Sequence, residues 1–139
     1  MDGFEIKEPS PAEVEFLEDR LYEFNAGTTG IDDGRWLGVF HRDDAGSIVA
    51  GAAGLTWGGT CELRQVWVET SARGRGLGRR LMAEVEAEAV RRRCGQIVLS
   101  TYSFQAPGFY RKLGFEVVAE IPDNPRGHAH LVLRKRLRP

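Results

Sequence analysis

The sequence predicts an α/β protein built on one mixed, mostly antiparallel sheet of about seven strands. Strand-like segments separated by tight turns fill residues 35–69, which is the pattern of an antiparallel meander. A helical pattern over about residues 75–93 then separates two strand patterns, and such a strand–helix–strand unit pairs its strands in parallel. At 139 residues, the chain fits a single domain, 1–139, with a hydrophobic core of its own.

The first predicted elements are a short strand and a capped helix. The segment FEIK is predicted as the strand. Ser10, Pro11 and Glu13 then carry the signals of a helix start, which are an N-cap serine, an early proline and the partner glutamate of a capping box. The apolar stripe of this helix consists of Val14, Leu17, Leu21 and Phe24. Gly27 is predicted to end the helix.

Three strands and a long amphipathic helix follow. The strands are predicted over RWLGVFHR, SIVAGAAGLTW and TCELRQVWVE, joined by the turns DDAG and GG. The helix presents one apolar face, made of Leu77, Leu81, Val85 and Ala89. Glu88 and Arg92 have the spacing of an ion pair along this helix, and Gly95 is predicted as its stop.

The remaining segments complete the sheet. QIVLSTY is an apolar run that is typical of a strand buried on both faces, and APGFYRKLG predicts a short helix. FEVVAEI and HAHLVLRKRL predict two closing strands. A C-terminal strand exposed at the sheet edge could pair across a homodimer.

Composition and charge exclude several classes of partner. The chain is 42% hydrophobic and 28% charged with a net charge of −1, which indicates a globular protein without a general affinity for nucleic acid or anionic membranes. Apolar runs are too short for a membrane span, and MDGFEIKEPS lacks the layout of a signal peptide. Cys61 and Cys94 match neither a metal site nor a disulfide framework, so a cytoplasmic protein with reduced, packed thiols is expected.

The stretch SARGRGLGRRLM, residues 71–82, predicts an anion site. It follows a strand and opens a helix, where glycines let the backbone approach a ligand and unpaired N–H groups point outward. A P-loop would need lysine and a hydroxyl residue after its last glycine, where Arg79 and Arg80 stand instead. A dinucleotide fingerprint would need glycine where Arg79 lies, and the antiparallel meander also argues against that fold.

The third pattern, R-x-x-G-x-G, is matched by Arg73, Gly76 and Gly78. On this motif the chain resembles the GNAT superfamily of acetyl-CoA-dependent N-acetyltransferases. VWVETSARGRGLGRRLM is similar to the pyrophosphate-binding signature of that family, and QAPGFYRKLGFEVV to its second signature. The resemblance implies a three-layer fold with helices on both sheet faces and a splayed central parallel pair. It also implies transfer of an acetyl group from acetyl-CoA to a primary amine, of a small molecule or of a protein. The sequence shows neither a Ser-His-Asp nor a Cys-His signature, so direct attack by the amine through a tetrahedral intermediate is expected.

The resemblance also implies where acetyl-CoA binds. The backbone of residues 74–79 would hold the pyrophosphate beside Arg73. These residues are Gly74, Arg75, Gly76, Leu77, Gly78 and Arg79. The pantetheine arm would pair with the strand that carries Val66, Trp67 and Val68, whose N–H groups would polarise the thioester carbonyl. Gln105 stands where many relatives carry an asparagine that contacts the pantetheine.

Two residues are candidates for the chemistry. Tyr110 occupies the tyrosine position of the family, where the phenol protonates the departing thiolate. Phe109 and Leu113 are expected to face the core, so that Tyr110 can face the slot between the splayed strands; the alternative is a packing tyrosine. Glu62 resembles the general base of some relatives and is expected to share its strand face with Val66 and Val68. The alternatives are a surface carboxylate paired with Arg64 and a proton path through water.

The acceptor site is less defined. Asp32 and Asp33 could attract a cationic amine, but Asp-Gly favours a turn. Trp36, Trp57 and Trp67 could line an aromatic wall or only pack. His128 and His130 alternate on a strand without an identifiable third ligand, so no metal is expected. A non-catalytic acyl-CoA sensor is the alternative to an enzyme.

Overall fold

The computed structural model describes residues 3–138. It divides between Asp32 and Asp33 into two compact units. Within residues 3–138, none of the helices combines the length and apolar character needed to cross a membrane.

The first unit contains helix α1 (Pro11–Thr29). The predicted capping box is present: Ser10 Oγ accepts from the Glu13 N–H at 3.1 Å, and Glu13 Oε1 accepts from the Ser10 N–H at 2.8 Å. The prediction that Gly27 ends the helix was wrong. Gly30, three residues further along the chain, ends it, because Gly30 rather than Gly27 adopts the left-handed conformation, with φ 74°.

The predicted first strand, FEIK, is absent from the described structure. Phe4 and Ile6 are 98% and 95% exposed, so the alternating side chains have no surface to cover. Lys7 instead forms an ion pair with Glu13 at the start of α1. A short strand is not stable without a neighbouring strand, and the sheet therefore has six strands rather than about seven.

The second unit contains the sheet and two further α-helices. Its elements are β1 (Arg35–Arg42), β2 (Ile48–Trp57), β3 (Thr60–Val68), a 3₁₀ turn (Thr70–Ala72), α2 (Leu77–Arg91), β4 (Gln96–Tyr102), α3 (Pro107–Lys112), β5 (Glu116–Pro122) and β6 (Ala129–Arg136). The strand order is β1-β2-β3-β4-β6-β5, and the β3–β4 pair is parallel while the other neighbours are antiparallel. This confirms the predicted mixed, mostly antiparallel sheet.

The parallel pair is splayed. Strands β3 and β4 pair over three residues only, from Thr60 with Gln96 to Glu62 with Val98. Beyond that point residues 63–68 of β3 and 99–102 of β4 no longer pair with each other. We call the opening between these two segments the slot. Its β3 side carries backbone groups that none of the described strands pairs with, which is an unusual arrangement inside a sheet.

Helix α2 packs its predicted apolar face on one side of the sheet. The core there includes Leu81, Val85, Ala89, Ala50, Ala52, Cys61, Leu63, Ile97, Leu99 and Leu133. We call the opposite side of the sheet the outer face. Both cysteines are free and buried, as predicted, and burial raises the pKa of the Cys61 thiol to about 11. The Cys61 thiol therefore stays protonated at neutral pH.

The C-terminal strand β6 is not an edge of the sheet. It pairs with β4 on one side and with β5 on the other, so the predicted edge pairing of this strand across a dimer was wrong. The edge strands are β1 and β5. After β4 and α3 the chain forms β5 at the edge, and β6 then lies between β4 and β5.

Helix α2 ends differently from the prediction. The Glu88–Arg92 ion pair is present at 2.8 Å, but Arg93 rather than Gly95 takes the left-handed conformation, with φ 63°. The Cys94 N–H donates to Ala89 O and the Arg93 N–H to Val90 O, which is the pattern of a Schellman motif. An exposed arginine thus occupies the position that glycine normally fills.

We expect Arg93→Gly to be more stable than Arg93→Ala by about 1 kcal/mol, the usual steric cost of a left-handed residue that carries a Cβ. Both variants remove the same charge from the end of the helix, so their difference isolates the backbone term. Urea unfolding followed by circular dichroism measures it. Equal midpoints for the two variants would contradict the assignment of strain to Arg93.

Candidate active site

The glycine–arginine stretch forms the start of helix α2. Gly74 and Gly76 have φ values of 81° and 75°, a conformation that other residues adopt only with strain. Gly76 is the N-cap, and among residues 3–138 no side chain caps the helix or places negative charge in its first turn. The first N–H groups of α2, from Leu77 to Arg79, are therefore left for an anionic ligand at the positive end of the helix dipole.

The arginines of this stretch divide into two groups. Arg73 Nε donates to Val68 O at 3.0 Å, so its side chain ties the loop to the end of β3. Arg75, Arg79 and Arg80 are exposed, and within residues 3–138 their side chains form no hydrogen bond or ion pair. Their positive charge is thus available beside the helix start.

Gly78 brings the helix start to the mouth of the slot. A Cβ added at Gly78 would lie 3.4 Å from the ring of Phe109 and 3.7 Å from a methyl group of Val68. The start of α2, the end of β3 and helix α3 therefore converge there. Any larger residue at position 78 would project into this junction.

Two backbone amides of β3 face the slot. The Glu69 N–H donates to Val49 O, so these two residues form a hydrogen-bonded pair. Hydrogen-bonded and non-hydrogen-bonded pairs alternate along an antiparallel ladder. The pairs Val68–Ala50 and Val66–Ala52 are therefore non-hydrogen-bonded. The N–H groups of Val66 and Val68 thus point away from β2. Trp67 lies between them and directs its amide toward Gly51. The donors offered to the slot are thus Val66 and Val68.

A β-bulge changes the expected side-chain phase of β3. Gln65 lies opposite Ala53 but Leu63 lies opposite Gly54, so Arg64 is the extra residue. Leu63 before the bulge and Val66 after it both face α2, whereas Glu62 faces outward. The prediction that Glu62 shares a face with Val66 and Val68 was therefore wrong, because the bulge resets the alternation.

The bulge depends on a glycine in the opposite strand. A Cβ on Gly54 would lie 2.0 Å from Glu62 O, closer than any side chain can approach. This contact explains why the residue opposite the bulge is glycine.

Glu62 forms an ion pair on the outer face. Arg64 Nε donates to Glu62 Oε1 at 3.0 Å, and the Arg64 guanidinium carbon lies 5.3 Å from the centre of the Trp36 ring. The pairing with Arg64 that the sequence left open is thus present. No motif in the sequence indicates a role for Arg64 in the site. The one local signal for it was the i, i+2 spacing of glutamate and arginine on a strand.

Tyr110 is the buried residue of helix α3, at 7% exposure, whereas Phe109 and Leu113 are only partly buried. The expected burial was the opposite, with Phe109 and Leu113 in the core. The ring of Tyr110 instead packs between Phe109 and Phe115, with centroids 5.2 and 5.7 Å away. Burial raises the pKa of the Tyr110 phenol above its usual value.

The Tyr110 hydroxyl is nevertheless accessible. It forms no hydrogen bond within residues 3–138. It also contacts solvent, because the fully buried side-chain polar atom without a partner in this range is Arg134 Nε and not the Tyr110 oxygen. Tyr110 therefore combines a fixed ring with a protonated, unpartnered hydroxyl. That combination suits a hydrogen-bond donor to a ligand.

Gln105 holds the loop after β4. Its Oε1 accepts from Thr101 Oγ1 at 3.0 Å and from the Tyr102 N–H at 2.8 Å. Within the described residues its Nε2 donates to no partner, which leaves that group for a ligand. The amide is thus oriented by the loop that precedes α3.

The other acceptor-site candidates divide into residues with structural partners and exposed residues. Asp33 Oδ1 accepts from the Gly58 N–H at 2.9 Å, a contact with the β2–β3 turn, and residues 31–34 do not form the predicted local turn; Asp32 is exposed. Trp36 and Trp67 lie on the outer face at 65% and 49% exposure, and Trp57 is half-buried. His128 and His130 pack on the rings of Phe104 and Tyr102, each at 4.9 Å. Across residues 3–138, no group of three His, Cys, Asp or Glu side chains could hold a metal ion.

Comparisons with known proteins identify the family. A family model described as an acetyltransferase (GNAT) domain matches residues 34–117. Blasticidin-S acetyltransferase of Streptomyces morookaense is 39% identical over 95 residues, which are 66% of this chain and 69% of that protein. A crystal structure described as an acetyltransferase from Agrobacterium tumefaciens is 28% identical, with a TM-score of 0.86 over 97% of this chain and 99% of that one.

A further structure shows the same fold. It is described as a streptothricin acetyltransferase from Bacillus anthracis in complex with acetyl coenzyme A, with a TM-score of 0.64 over 74% of this chain and 63% of that one. At 17% identity, this likeness concerns the fold alone. The family model covers the meander, the glycine–arginine stretch, the slot and helix α3 together. The chain therefore belongs to the GNAT family of acetyltransferases and is an acyltransferase enzyme.

Proposed function

We propose that the enzyme transfers an acetyl group from acetyl-CoA to a primary amine of a small molecule. The observation that carries this proposal is the line of groups along the slot. Within residues 3–138, the first N–H groups of α2 have no side-chain cap, the Val66 and Val68 amides face the slot, and the Tyr110 hydroxyl forms no hydrogen bond. Together these donors suit one extended thioester ligand. The pyrophosphate would bind at residues 76–79, and the pantetheine would run along β3.

The chemistry follows from the same groups. The N–H of Val66 or Val68 would polarise the thioester carbonyl and stabilise the oxyanion that forms when the neutral amine attacks. The tetrahedral intermediate would then collapse, breaking the carbon–sulfur bond, and Tyr110 would donate its hydroxyl proton to the departing thiolate. The amide product and free CoA result. Gln105 would contact the pantetheine through its Nε2 group.

Glu62 is proposed as the base that accepts the amine proton. It has a carboxylate on the outer face that is 55% exposed, and only one of its oxygens is bound by Arg64. About 10 to 13 Å of strand separates Glu62 from Val66, so the proton would pass through a bridging water rather than directly.

The acceptor is proposed to approach from the outer face. The outer face that carries Glu62 also carries two exposed rings, those of Trp36 and Trp67, at 65% and 49% exposure. An amine attached to a planar or apolar body would bury these rings while its nitrogen reaches the slot. Blasticidin S is the first acceptor to test, because a relative is named for it.

A thiol-release assay with acetyl-CoA, blasticidin S and a panel of primary amines tests the proposal. We expect CoA release that depends on the amine, together with an acetylated product by mass spectrometry. Tight binding of acetyl-CoA without turnover of any amine would indicate a sensor and would overturn the proposal.

We expect Glu62→Gln to lower kcat/KM by roughly 10- to 100-fold, the low end of what a general base contributes. The defect should be largest at low pH, where more of the amine is protonated, and smaller at high pH. Initial rates measured across pH 6–9 provide the comparison. Glu116→Gln is the matched control, because Glu116 is also an exposed, arginine-paired carboxylate of the sheet. A profile like that of the control would remove Glu62 from the mechanism.

A further inference from the structure

The backbone of β3 sets the position of Arg64. It is the extra residue of the β3 bulge, so no residue of β2 lies directly opposite it. The bulge in turn needs Gly54, since a Cβ there would collide with the Glu62 backbone. Arg64 and Glu62 are therefore placed together by backbone geometry rather than by a flexible surface encounter.

The contacts of Arg64 hold one oxygen of Glu62 and leave the other. Arg64 Nε donates to Oε1 at 3.0 Å, and within residues 3–138 Oε2 accepts from no donor. The guanidinium plane is itself supported by the Trp36 ring, 5.3 Å from the guanidinium carbon. A cation over an aromatic face is attracted to it and loses rotational freedom.

Trp36 is anchored to the second unit's core helix. Its carbonyl accepts from Arg92 Nη1 at 3.0 Å, and Arg92 is paired with Glu88 of helix α2. The side chain of Arg92 is 12% exposed, so this anchor is largely buried. A chain of contacts thus runs from α2 through Trp36 and Arg64 to Glu62.

We propose that Arg64 is a positioning residue that fixes the Glu62 carboxylate in one orientation, with Oε1 held and Oε2 available for the proton. The proposal rests on the base role of Glu62 under the proposed function. An exposed ion pair contributes little to the stability of a fold, whereas a fixed orientation of a base matters for each turnover. Arg64 acts through Glu62 and accepts no proton itself, because a guanidinium stays protonated in proteins.

A double-mutant cycle with acetyl-CoA and blasticidin S tests the proposal. Arg64→Gln is expected to lower kcat by roughly threefold to tenfold with little change in the KM for either substrate. In the Glu62→Gln background, Arg64→Gln is expected to cause less than about a twofold further loss, because the positioning role acts only through the Glu62 carboxylate. Arg64→Lys keeps the charge without the Nε donor and should recover only part of the rate.

Arg134→Gln is the matched control. Arg134 forms an ion pair of the same length with Glu116, at 3.0 Å, and its removal should leave kcat unchanged. An equal loss from Arg64→Gln in both backgrounds would overturn the positioning role while Glu62 stays the base. A Glu62→Gln variant with wild-type kinetics would instead overturn the base and the positioning role together.

Crystal structures of the wild type and Arg64→Ala give a readout that needs no acceptor. We expect a single Glu62 conformer against Arg64 in the wild type, and several conformers or a rotated carboxylate in the variant, with the β3 bulge retained. A Glu62 side chain that keeps one unchanged conformer without Arg64 would overturn the proposal even if no amine of the panel were turned over.

Discussion

Gly76→Val is expected to raise the Kd for acetyl-CoA by roughly 100-fold or more. Gly76 caps helix α2 with φ 75°, and valine is among the residues least able to adopt that conformation. The loop would relax and turn the N–H groups of Leu77 to Arg79 away from the pyrophosphate. Each hydrogen bond to a charged group contributes about 1.5–3 kcal/mol, so losing two of them gives a change of this size. Isothermal titration calorimetry with acetyl-CoA measures it.

Gly46→Val is the matched control for the backbone strain. Gly46 lies in the β1–β2 turn with φ 86° and nothing within 4 Å of an added Cβ, as at Gly76. We expect both variants to lose similar stability, and only Gly76→Val to lose acetyl-CoA. Wild-type affinity in a folded Gly76→Val protein would contradict the placement of the pyrophosphate at this loop.

Gly78→Leu separates steric blocking from backbone strain. Gly78 has an ordinary helical backbone, so leucine is tolerated by the helix, but its side chain would enter the junction with Phe109 and Val68. A loss of affinity in this variant places the ligand at the mouth of the slot. Retained affinity would place it elsewhere.

The strands of the second unit follow from local sequence signals. Strands β1 and β4 begin and end where RWLGVFHR and QIVLSTY were predicted, because turn residues or glycines bound each run. The glycine–arginine stretch was likewise predicted to follow a strand and open a helix, and it does so between β3 and α2. Predicting these features requires only residues that are neighbours in the sequence, and not the residues of the paired strands.

The failures depend on partners distant in the chain. FEIK has a strand-like pattern, but a strand forms only beside another strand. Gly27 and Gly95 are plausible helix stops, yet Gly30 and Arg93 take the left-handed positions once the helix ends are formed. A local pattern indicates that a helix ends near a glycine, and it does not decide which residue adopts positive φ.

The position of Glu62 in the site likewise depends on residues that are distant in the chain. Counting residues along β3 puts Glu62 on the face of Val66 and Val68, and the bulge at Arg64 moves it to the other face. The bulge is a property of the β2–β3 register, to which Gly54 contributes through its missing side chain. The pairing of Arg64 with Trp36 likewise joins β3 to β1, and no motif within β3 indicates it.

Tyr110→Phe is expected to slow single-turnover acetyl transfer by roughly 100-fold, the low end of the range for general acid catalysis. The variant keeps the ring between Phe109 and Phe115 and removes only the unpartnered hydroxyl, so the affinity for acetyl-CoA should stay within about twofold. The measurement is rapid-quench transfer with acetyl-CoA saturating. Tyr102→Phe is the control, because its ring also packs among aromatic residues, against Phe104.

The pH dependence of this effect follows from burial. An unperturbed phenol has a pKa near 10, and burial raises the pKa of Tyr110 above that value. The hydroxyl therefore stays protonated between pH 6 and 9, and the ratio of wild-type to variant rates should be constant over that range. A donor matters mainly as charge builds on sulfur, so the loss should fall on the chemical step rather than on binding. If Tyr110→Phe transfers acetyl at the wild-type rate while chemistry is limiting, Tyr110 is a packing residue, and the thiolate departs without help from this side chain.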